Sequence, residues 1–435
     1  MSAIFDIKEH TIEAAHIREF ARATANSQDE RLLLHIKQYT PKDNPNPQKG
    51  DVTIIGGHAN GFPKELYEPL WEEVYHEAKS RNVRIRSIWI ADTAWQGQSG
   101  ILNQDALGND RKLFQPFTTT QISLLMHLLA GWLDYARDIL HMINTFRPPP
   151  PIMGMGHSFG GNALANVSLL HPRLLTSLVL LDPVVSRYAS SPDSKAMGPA
   201  ASSMHRREVW PSLKDAEASF KRSPFYKSWD PRVLERWVDF GIRQIPGQDA
   251  VTLTTTKHQE VFTFLRPSWD AYDAQGKTII HPELVPDLNP NLNEKYPTYP
   301  FYRSEGASTV DRLPNVRPSV LYVFGGKSDI SPIHLQDEKM AITGAGLGGS
   351  GGAKAGRVKK VVGDYGHLIP MESPKFCAQA AAEWIEAELQ RWWVEERKYE
   401  EWTRKSAAEK TTISEEWHKY LSKPERKNGK NKAKI

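Results

Sequence analysis

The chain has 435 residues, of which 40 % are hydrophobic and 24 % are charged, and its formal net charge is +4. These are ordinary values for a soluble globular protein with a large core. Much of the positive charge falls in the last stretch, K-P-E-R-K-N-G-K-N-K-A-K-I. A protein that binds nucleic acid needs a basic stripe on its folded body. The sequence predicts no such stripe, so we expect no nucleic-acid partner.

The sequence also limits the cellular compartment. Cys377 is the one cysteine, so no internal disulfide forms, and we interpret this residue as a small buried hydrophobe. The first residues, M-S-A-I-F-D-I-K-E-H, lack the apolar region of a secretory signal. The longest apolar stretch, of about 12 residues, is too short to span a bilayer. We therefore expect an intracellular protein that is not integral to a membrane.

Short apolar strands alternate with helical segments through the first part of the chain. This alternation predicts a mostly parallel sheet that is covered by helices on both faces. In chain order, the segments are strands over 31–40, 51–62 (with the glycine-rich turn that it enters) and 83–92, a long helix over 118–143, a strand, turn and helix over 150–172, and a strand over 174–185.

The alternation stops between residues 186 and 318, where the strand signal is absent. It returns with strands over 318–326 and 356–364 and a helix from Pro374 to Trp393. The predicted domains are an α/β core over 1–185 and 319–395, a large and mainly helical cap over 186–318, a helical extension over 396–422, and a disordered basic tail over 423–435. In the extension, the apolar positions expected to face inward are Tyr399, Trp402, Ile413, Trp417 and Leu421.

A glycine-rich motif, Gly156-His157-Ser158-Phe159-Gly160, lies between an apolar strand and a helix. In that context the glycines permit a sharp strand-to-helix turn that lifts the serine hydroxyl above the sheet. The following helix N-terminus adds a positive field where negative charge develops. Ser158 is the predicted nucleophile; the alternative is a glycine-rich turn with an idle serine.

A serine hydroxyl needs a base to accept its proton. Of the 15 histidines, His367 in V-V-G-D-Y-G-H-L-I-P follows a late predicted strand, so it is the predicted base rather than a surface histidine. A carboxylate must then orient the imidazole. Asp182 and Asp329 both follow strands that end at the same edge of the sheet, and the residues alone leave the choice between them open.

An oxyanion hole requires two backbone N–H donors. We predict Phe159 as one donor, and Asn60, with Ala59 as the next choice, from the loop G-G-H-A-N-G-F. The alternative for this loop is a plain turn. A second glycine-rich run, G-A-G-L-G-G-S-G-G over 344–352, follows no strand, so a dinucleotide site is not predicted. We expect neither a metal nor an organic cofactor.

Four segments resemble the α/β-hydrolase family when taken in order: H-A-N-G-F-P-K-E-L-Y-E-P-L, G-H-S-F-G-G-N-A-L-A-N-V-S-L-L-H-P, L-V-L-L-D-P-V-V and G-H-L-I-P-M-E-S-P. They are most similar to a fungal peroxisomal branch that includes the acyl-CoA hydrolase of mycophenolic acid biosynthesis and host-selective toxin biosynthesis proteins. The resemblance covers about residues 30–395. In this branch the acid follows the earlier strand, which favours Asp182 over Asp329.

The resemblance implies a serine hydrolase that cleaves an acyl-CoA thioester, in secondary metabolism. Arg206, Arg207 and Trp210 of the cap are the candidate substrate-binding residues. The terminal Ala433-Lys434-Ile435 has the form of a peroxisomal address, so we expect a peroxisomal matrix location and an import receptor as partner. A lipase, carboxylesterase, lactonase, cofactor-free lyase or haloperoxidase remains open, as do a non-catalytic binding scaffold and a homodimer.

Overall fold

Buried apolar strands form the centre of the molecule. The computed structural model describes residues 2–108, 131–187, 198–288, 298–421 and 423. Its strands are β1 (Phe5–Glu13), β2 (Leu33–Pro41), β3 (Val52–Gly57), β4 (Ile85–Ala91), β5 (Ile152–His157), β6 (Ser177–Leu181), β7 (Val209–Trp210), β8 (Ile242–Gln244), β9 (Val251–Leu253), β10 (Arg266–Pro267), β11 (Phe301–Tyr302), β12 (Ser319–Gly325) and β13 (Val358–Gly363).

Helices connect and cover these strands. They are α1 (Glu68–Ser80), α2 (Gly97–Leu102), α3 (Trp132–Phe146), α4 (Phe159–Leu170), α5 (Gly198–His205), α6 (Leu213–Arg222), α7 (Pro224–Lys227), α8 (Pro231–Phe240), α9 (Lys257–Phe264), α10 (Glu305–Arg312), α11 (Ile333–Ile342), α12 (Ile369–Glu372), α13 (Pro374–Thr403), α14 (Ala407–Thr411) and α15 (Glu415–Tyr420).

One sheet of eight strands has the order β1-β2-β4-β3-β5-β6-β12-β13. The pairs from β4 to β13 are parallel, whereas β1–β2 and β2–β4 are antiparallel. Every residue of β3, β5, β6 and β12 is buried, which explains their continuous apolar runs. The predicted α/β fold with a mostly parallel sheet is confirmed. The carboxyl ends of β3, β5, β6, β12 and β13 meet at one edge.

Two parts of the core differ from the sequence prediction. Strand β1 was not predicted, because it is an edge strand whose residues after Phe5 are mostly exposed and charged, so it carries no apolar run. The predicted helix over 118–143 begins, within the described residues, at Trp132 and ends at Phe146. Residues 118–130 lie outside the described part of the chain.

The segment between β6 and β12 is not purely helical. It contains a three-stranded sheet in the order β7-β9-β8 and the pair β10-β11. Each of these strands is only two or three residues long, which is too short to give an alternating pattern in the sequence. The segment is predicted to be mainly helical, and these short strands, which lie among its helices, have no strand signal in the sequence.

The chain divides into two compact units, residues 1–389 and residues 390–435. Helix α13 runs without a break across the predicted boundary at 395 and ends at Thr403. The short helices α14 and α15 follow it. The five apolar side chains that were expected to face inward are exposed, so that expectation is wrong: Tyr399, Trp402, Ile413, Trp417 and Leu421.

Candidate active site

A strained turn joins β5 to α4. Ser158 stands between them with φ 55° and ψ −118°, a conformation that costs energy in a residue with a side chain. Gly156 and Gly160 lie close together there: a Cβ on Gly156 would approach the Gly160 carbonyl oxygen to 2.6 Å. Residues with side chains could not make this turn so tightly. The turn leaves the Ser158 side chain at the carboxyl edge of the sheet, at the N-terminus of α4.

The loop after β13 brings His367 to the serine. His367 Nε2 lies 2.9 Å from Ser158 Oγ, and His367 Nδ1 lies 2.6 Å from Asp182 Oδ2. The Asp182 side chain is fully buried, while the imidazole is 22 % exposed. Both distances are hydrogen bonds. The three side chains therefore form one continuous chain from carboxylate to hydroxyl.

Asp182 is held as an anion by its neighbours. Burial alone would raise its pKa, but the hydrogen bond and charge of His367, with the hydroxyls of Ser328 and Ser331, lower the pKa below its usual range. Ser328 Oγ donates to Asp182 Oδ2 at 2.5 Å. Asp182 itself has a φ of 40°, so its backbone is strained at the point where β6 ends.

The competing acid points elsewhere. Asp329 is exposed, and the hydrogen bond of His367 Nδ1 goes to Asp182. The loop that carries Asp329 nevertheless contributes to the site, since Ser328 in that loop binds the Asp182 carboxylate. The structure therefore brings Ser158, His367 and Asp182 together and leaves Asp329 outside the group.

The predicted oxyanion donors lie on two elements next to Ser158. The Phe159 N–H is the first of α4, where backbone donors have no partner within the helix. The Ala59 N–H already donates to Tyr67 Oη at 2.8 Å, so this alternative donor is occupied. The Asn60 side chain donates to Glu260 O at 3.0 Å and accepts from Gln96 Nε2 at 2.6 Å. Both contacts fix the orientation of the loop at Asn60.

Buried polar groups fix the rest of this loop. The Gly61 N–H donates to Gln96 Oε1 at 2.8 Å. Lys64, which is fully buried, donates from Nζ to Asp92 Oδ2 at 2.6 Å and lies 3.0 Å from Glu65 Oε1. Burial lowers the pKa of Lys64, but Asp92 and Glu65 more than offset this and raise it. The loop is thus tied to the end of β4.

The segment between β6 and β12 packs directly onto the same loop. A Cβ on Gly61, whose φ is +82°, would meet Glu260 Cδ at 2.9 Å. Arg206 donates to Glu260 Oε1 at 2.8 Å and to Tyr226 Oη at 3.2 Å. Burial raises the pKa of Glu260 even though Arg206 lowers it. Arg206 is therefore committed to Glu260 and Tyr226 in this structure, and does not offer these donors to a substrate phosphate.

The tryptophans of this segment form a buried aromatic cluster. Trp210, Trp229 and Trp237 are buried, and Phe62 of the loop packs edge-on against Trp229 and Trp237 at 5.6 and 5.9 Å between ring centroids. Trp210 is core rather than a surface available to a ligand. Arg207 is exposed, lies over the Trp210 ring at 5.6 Å, and donates from Nε to Val209 O at 2.8 Å.

The glycine-rich run over 344–352 lies away from this site. It precedes β13, at the opposite edge of the sheet from His367. Backbone bonds hold it to residues 313–316: Gly344 N–H donates to Leu313 O at 2.9 Å, and Ser350 N–H donates to Val316 O at 3.0 Å. The run is a packed connection in this structure, so it does not reach a substrate bound at Ser158.

The site has the parts of a covalent hydrolase. Hydrogen bonds link a carboxylate to an imidazole and the imidazole to a hydroxyl, and backbone donors of a helix N-terminus lie beside the hydroxyl.

Within the described part of the chain, no group of three or more His, Cys, Asp or Glu side chains is placed to hold a metal ion. Among the same residues, no helix is both long and apolar enough to cross a membrane.

Comparison with known proteins identifies the family. The alpha/beta hydrolase family model matches residues 58–380. The chain belongs to the alpha/beta hydrolase family. It is an enzyme of the hydrolase class, as the sequence motifs predicted.

The relatives of this hydrolase include proteins of Penicillium and Alternaria. It is 36 % identical to the type I acyl-CoA thioesterase mpaH' of Penicillium brevicompactum over 96 % of this chain and 95 % of that protein. It is 30 % identical to the abhydrolase domain-containing protein AFT2-1 of Alternaria alternata, over 62 % of this chain and 97 % of that protein. The predicted resemblance to this branch is confirmed.

A solved structure has the same fold. The peroxisomal alpha-beta-hydrolase Lpx1 of Saccharomyces cerevisiae superposes with a TM-score of 0.64, covering 95 % of this hydrolase and 100 % of that chain, at 15 % sequence identity. At this identity the likeness shows the fold alone.

Several residues of the site were not found from the sequence. Ser328 binds the carboxylate of Asp182, and Tyr67 Oη lies 2.9 Å from Nδ1 of His157, the residue before Ser158. His157 stands inside the G-x-S-x-G motif, where only the serine and glycines carry a pattern. Ser328 could have been found by noting that it directly precedes the competing Asp329. Tyr67 and Glu260 carry no local signal.

Proposed function

We propose that this hydrolase cleaves acyl-CoA thioesters with a catalytic triad of Ser158, His367 and Asp182. The observation that carries the proposal is the chain of two hydrogen bonds, 2.9 Å from Ser158 Oγ to His367 Nε2 and 2.6 Å from His367 Nδ1 to Asp182 Oδ2. The order carboxylate, imidazole, hydroxyl is the one in which a base can both receive and return a proton. A scaffold without activity has no need of it.

In the first step Ser158 Oγ attacks the thioester carbonyl while its proton moves to His367 Nε2. Asp182 stabilises the imidazolium that forms. The Phe159 and Asn60 N–H groups bind the negative oxygen of the tetrahedral intermediate. When the intermediate collapses, the C–S bond breaks, His367 gives its proton to the CoA thiolate, and the acyl group stays on the serine.

In the second step water attacks the acyl-enzyme and gives a proton to His367 Nε2. The new tetrahedral intermediate collapses with cleavage of the bond to Ser158 Oγ, which takes the proton back. A carboxylic acid leaves and the enzyme returns to its first state. Neither a metal nor an organic cofactor enters these steps.

The choice of thioester over oxygen ester rests on the relative with the stated acyl-CoA thioesterase activity, which aligns with 96 % of this chain. The nucleotide of CoA is anionic, and basic side chains of the segment between β6 and β12 are available to it. Arg207 and Arg222 are exposed there, whereas Lys221 pairs with Glu217 at 2.5 Å. Arg206 leaves the set of candidates because its contacts are with Glu260 and Tyr226.

Labelling with a fluorophosphonate and turnover of acyl-CoA esters test the mechanism. Wild-type enzyme should be labelled and Ser158→Ala should not. The Ser158→Ala variant should also lose several orders of magnitude in kcat, with an unchanged circular dichroism spectrum and Tm. Retention of more than about a tenth of the activity would show that Ser158 is not the nucleophile.

A substrate panel tests the thioester. For one acyl group, kcat/KM should be higher for the CoA thioester than for the p-nitrophenyl and glyceryl esters. The matched pantetheine thioester, which lacks the nucleotide, should have a higher KM. Free CoA should inhibit competitively. Faster turnover of emulsified glyceride without CoA inhibition would instead identify a lipase.

A charge reversal tests the recognition of the nucleotide. Arg207→Glu should raise KM for acyl-CoA with kcat little changed, because it removes binding shared by substrate and transition state. The same change at Lys354 is the control, since this exposed lysine precedes β13 at the opposite edge of the sheet. Equal effects of the two variants would argue against contact between Arg207 and the nucleotide.

We also propose that the enzyme acts in the peroxisomal matrix, recognised by an import receptor through Ala433-Lys434-Ile435. The small, basic and aliphatic residues have the form of a receptor-read address; they lie outside the described residues. Deleting them from an N-terminally tagged chain should turn a punctate signal diffuse while the purified enzyme keeps its activity. A signal that stays punctate would place the targeting elsewhere.

A further inference from the structure

A largely buried chain of hydrogen bonds links residues that neighbour or belong to the proposed triad. The Ala59 N–H donates to Tyr67 Oη at 2.8 Å. Tyr67 Oη lies 2.9 Å from His157 Nδ1, and His157 Nε2 lies 3.0 Å from the His367 carbonyl oxygen. Tyr67 and His157 are both buried. None of these bonds involves the reacting atoms described above.

The protons in this chain have one consistent arrangement. The His367 carbonyl oxygen only accepts, so His157 Nε2 carries a proton and donates it. Burial, with a smaller contribution from repulsion by His367, lowers the pKa of His157 to about 3. The ring is therefore neutral at physiological pH, and Nδ1 is an acceptor. Tyr67 then donates its hydroxyl proton to Nδ1 and accepts from the Ala59 N–H.

The chain joins the three loops that the proposed reaction uses. Ala59 precedes Asn60, the proposed oxyanion donor. His157 precedes Ser158. The His367 carbonyl belongs to the residue whose ring is the proposed base. A shift of either Tyr67 or His157 therefore changes the position of the oxyanion donor, the serine or the imidazole relative to the other two.

We propose that Tyr67 and His157 are positioning residues that hold three segments in register: the loop after β3 that carries Asn60, the turn at Ser158, and the loop after β13 that carries His367. This inference rests on the proposed function, because it assigns those loops their roles. Proximity effects are steep: a displacement of about 1 Å can reduce a rate on the order of 100-fold. Loss of these hydrogen bonds should therefore reduce kcat, while Tm should fall no more than it does when another buried hydroxyl is removed.

The test uses Tyr67→Phe, His157→Gln and the double variant, with acyl-CoA turnover and Tm measured for each. Each single variant should lose roughly 10- to 100-fold in kcat, with KM changed less than about threefold. Because both act through one chain, the double variant should lose no more than the worse single variant. A transition-state analogue such as a boronic acid should bind more weakly by the same factor as kcat/KM falls.

The matched control is Tyr322→Phe. Tyr322 is a fully buried tyrosine whose Oη lies 2.8 Å from Thr343 Oγ1, so the substitution removes a comparable hydroxyl within β12. It should lower Tm about as much as Tyr67→Phe while kcat changes less than about twofold.

Two results would overturn the inference: Tyr67→Phe that keeps kcat within about twofold of wild type, or effects of the two single variants that multiply in the double variant. Full activity of Ser158→Ala would instead contradict the proposed function itself. The two failures are therefore distinguishable.

Discussion

The two aspartates that competed for the role of the acid, Asp182 and Asp329, give a matched pair of substitutions. Asp182→Asn should reduce kcat on the order of 10⁴-fold, because an amide can hold the wrong imidazole tautomer and cannot stabilise its cation. Asp329→Asn, at an exposed position one residue from Ser328, should keep kcat within about threefold. Steady-state rates with one acyl-CoA, and Tm for both variants, measure this. The opposite order of damage would move the acid to Asp329.

His157 makes the stability of the protein depend on pH. The pKa of this ring is about 3 in the folded protein against an ordinary value of 6.5. Between pH 6.5 and about pH 3, the unfolded chain therefore binds a proton at His157 that the folded chain does not bind. The contribution of this ring to the free energy of unfolding is fully present above pH 6.5. It is lost as the pH falls toward 3, by about 1.4 kcal/mol per pH unit.

Urea unfolding at several pH values between 7 and 4 checks this prediction. His157→Gln should have a shallower slope of unfolding free energy against pH than wild type. Some slope should remain, since burial also lowers the pKa of His58. His205→Gln, at an exposed position, is the control and should keep the wild-type slope. An unchanged slope in His157→Gln would contradict the assignment of a buried neutral ring.

The predicted catalytic residues could be found from the sequence more readily than the residues that support them. Ser158, His367 and Asp182 each follow a strand, and the carboxyl ends of parallel strands converge, so sequence order already places them together. Asp182 and Asp329 satisfy that rule equally. The choice between them depends on the path of two short loops, which no local pattern records. Tyr67 and Glu260 reach the site only through tertiary packing.

At the scale of elements, α5 and α9 hold a partly buried ion pair over the loop after β3, with the Arg206 side chain 23 % exposed. Arg206 follows α5, and Glu260 lies in α9, with its side chain 4 % exposed. Removing one partner of such a pair leaves a buried charge and costs about 3 kcal/mol or more. Replacing both with apolar residues can be neutral. The pair therefore has a structural role that a phosphate-binding arginine would not have.

Arg206→Ala should consequently lower the free energy of unfolding by about 3 kcal/mol. The double change Arg206→Met with Glu260→Leu should recover most of this loss. Urea unfolding measures both, and KM for acyl-CoA is recorded beside it. A higher KM with no loss of stability in Arg206→Ala would return this residue to the substrate-binding set.

Core strands could be predicted from the sequence where both faces of the strand are buried. Strands β3, β5, β6 and β12 are buried along their whole length, so each gave a continuous apolar run. Strand β1 has water on much of its surface and gave no such run. The short strands β7 to β11 form by tertiary packing rather than by propensity, which is why no strand was predicted within this mainly helical segment.

At the scale of the whole molecule, the sheet and the segment between β6 and β12 share one apolar core. Ile54, Ile88 and Val323 of the sheet belong to the same buried cluster as Trp210 and Trp237. Neither part buries its apolar face alone. Residues 1–389 should therefore unfold as one cooperative unit.

Unfolding curves from tryptophan fluorescence and from far-ultraviolet circular dichroism should then coincide. Trp237→Phe helps to assign the fluorescence change to the segment, because its ring packs among Phe220, Tyr226 and Trp229. A fluorescence transition at clearly lower urea than the dichroism transition would show that the segment melts independently of the sheet.

The contact between β3 and α4 has a consequence for laboratory evolution of this enzyme. A Cβ on Gly57 would approach the Gly160 carbonyl oxygen to 2.8 Å, and a Cβ on Gly160 would approach His58 N to 2.7 Å. Both atoms are backbone, which cannot rotate away. Consider a mutagenesis library that is selected for activity on any substrate. Variants at codons 57 and 160 should be lost from it as fast as they are lost under selection for folding alone. Their depletion gives an internal baseline against which substrate-dependent losses elsewhere can be scaled.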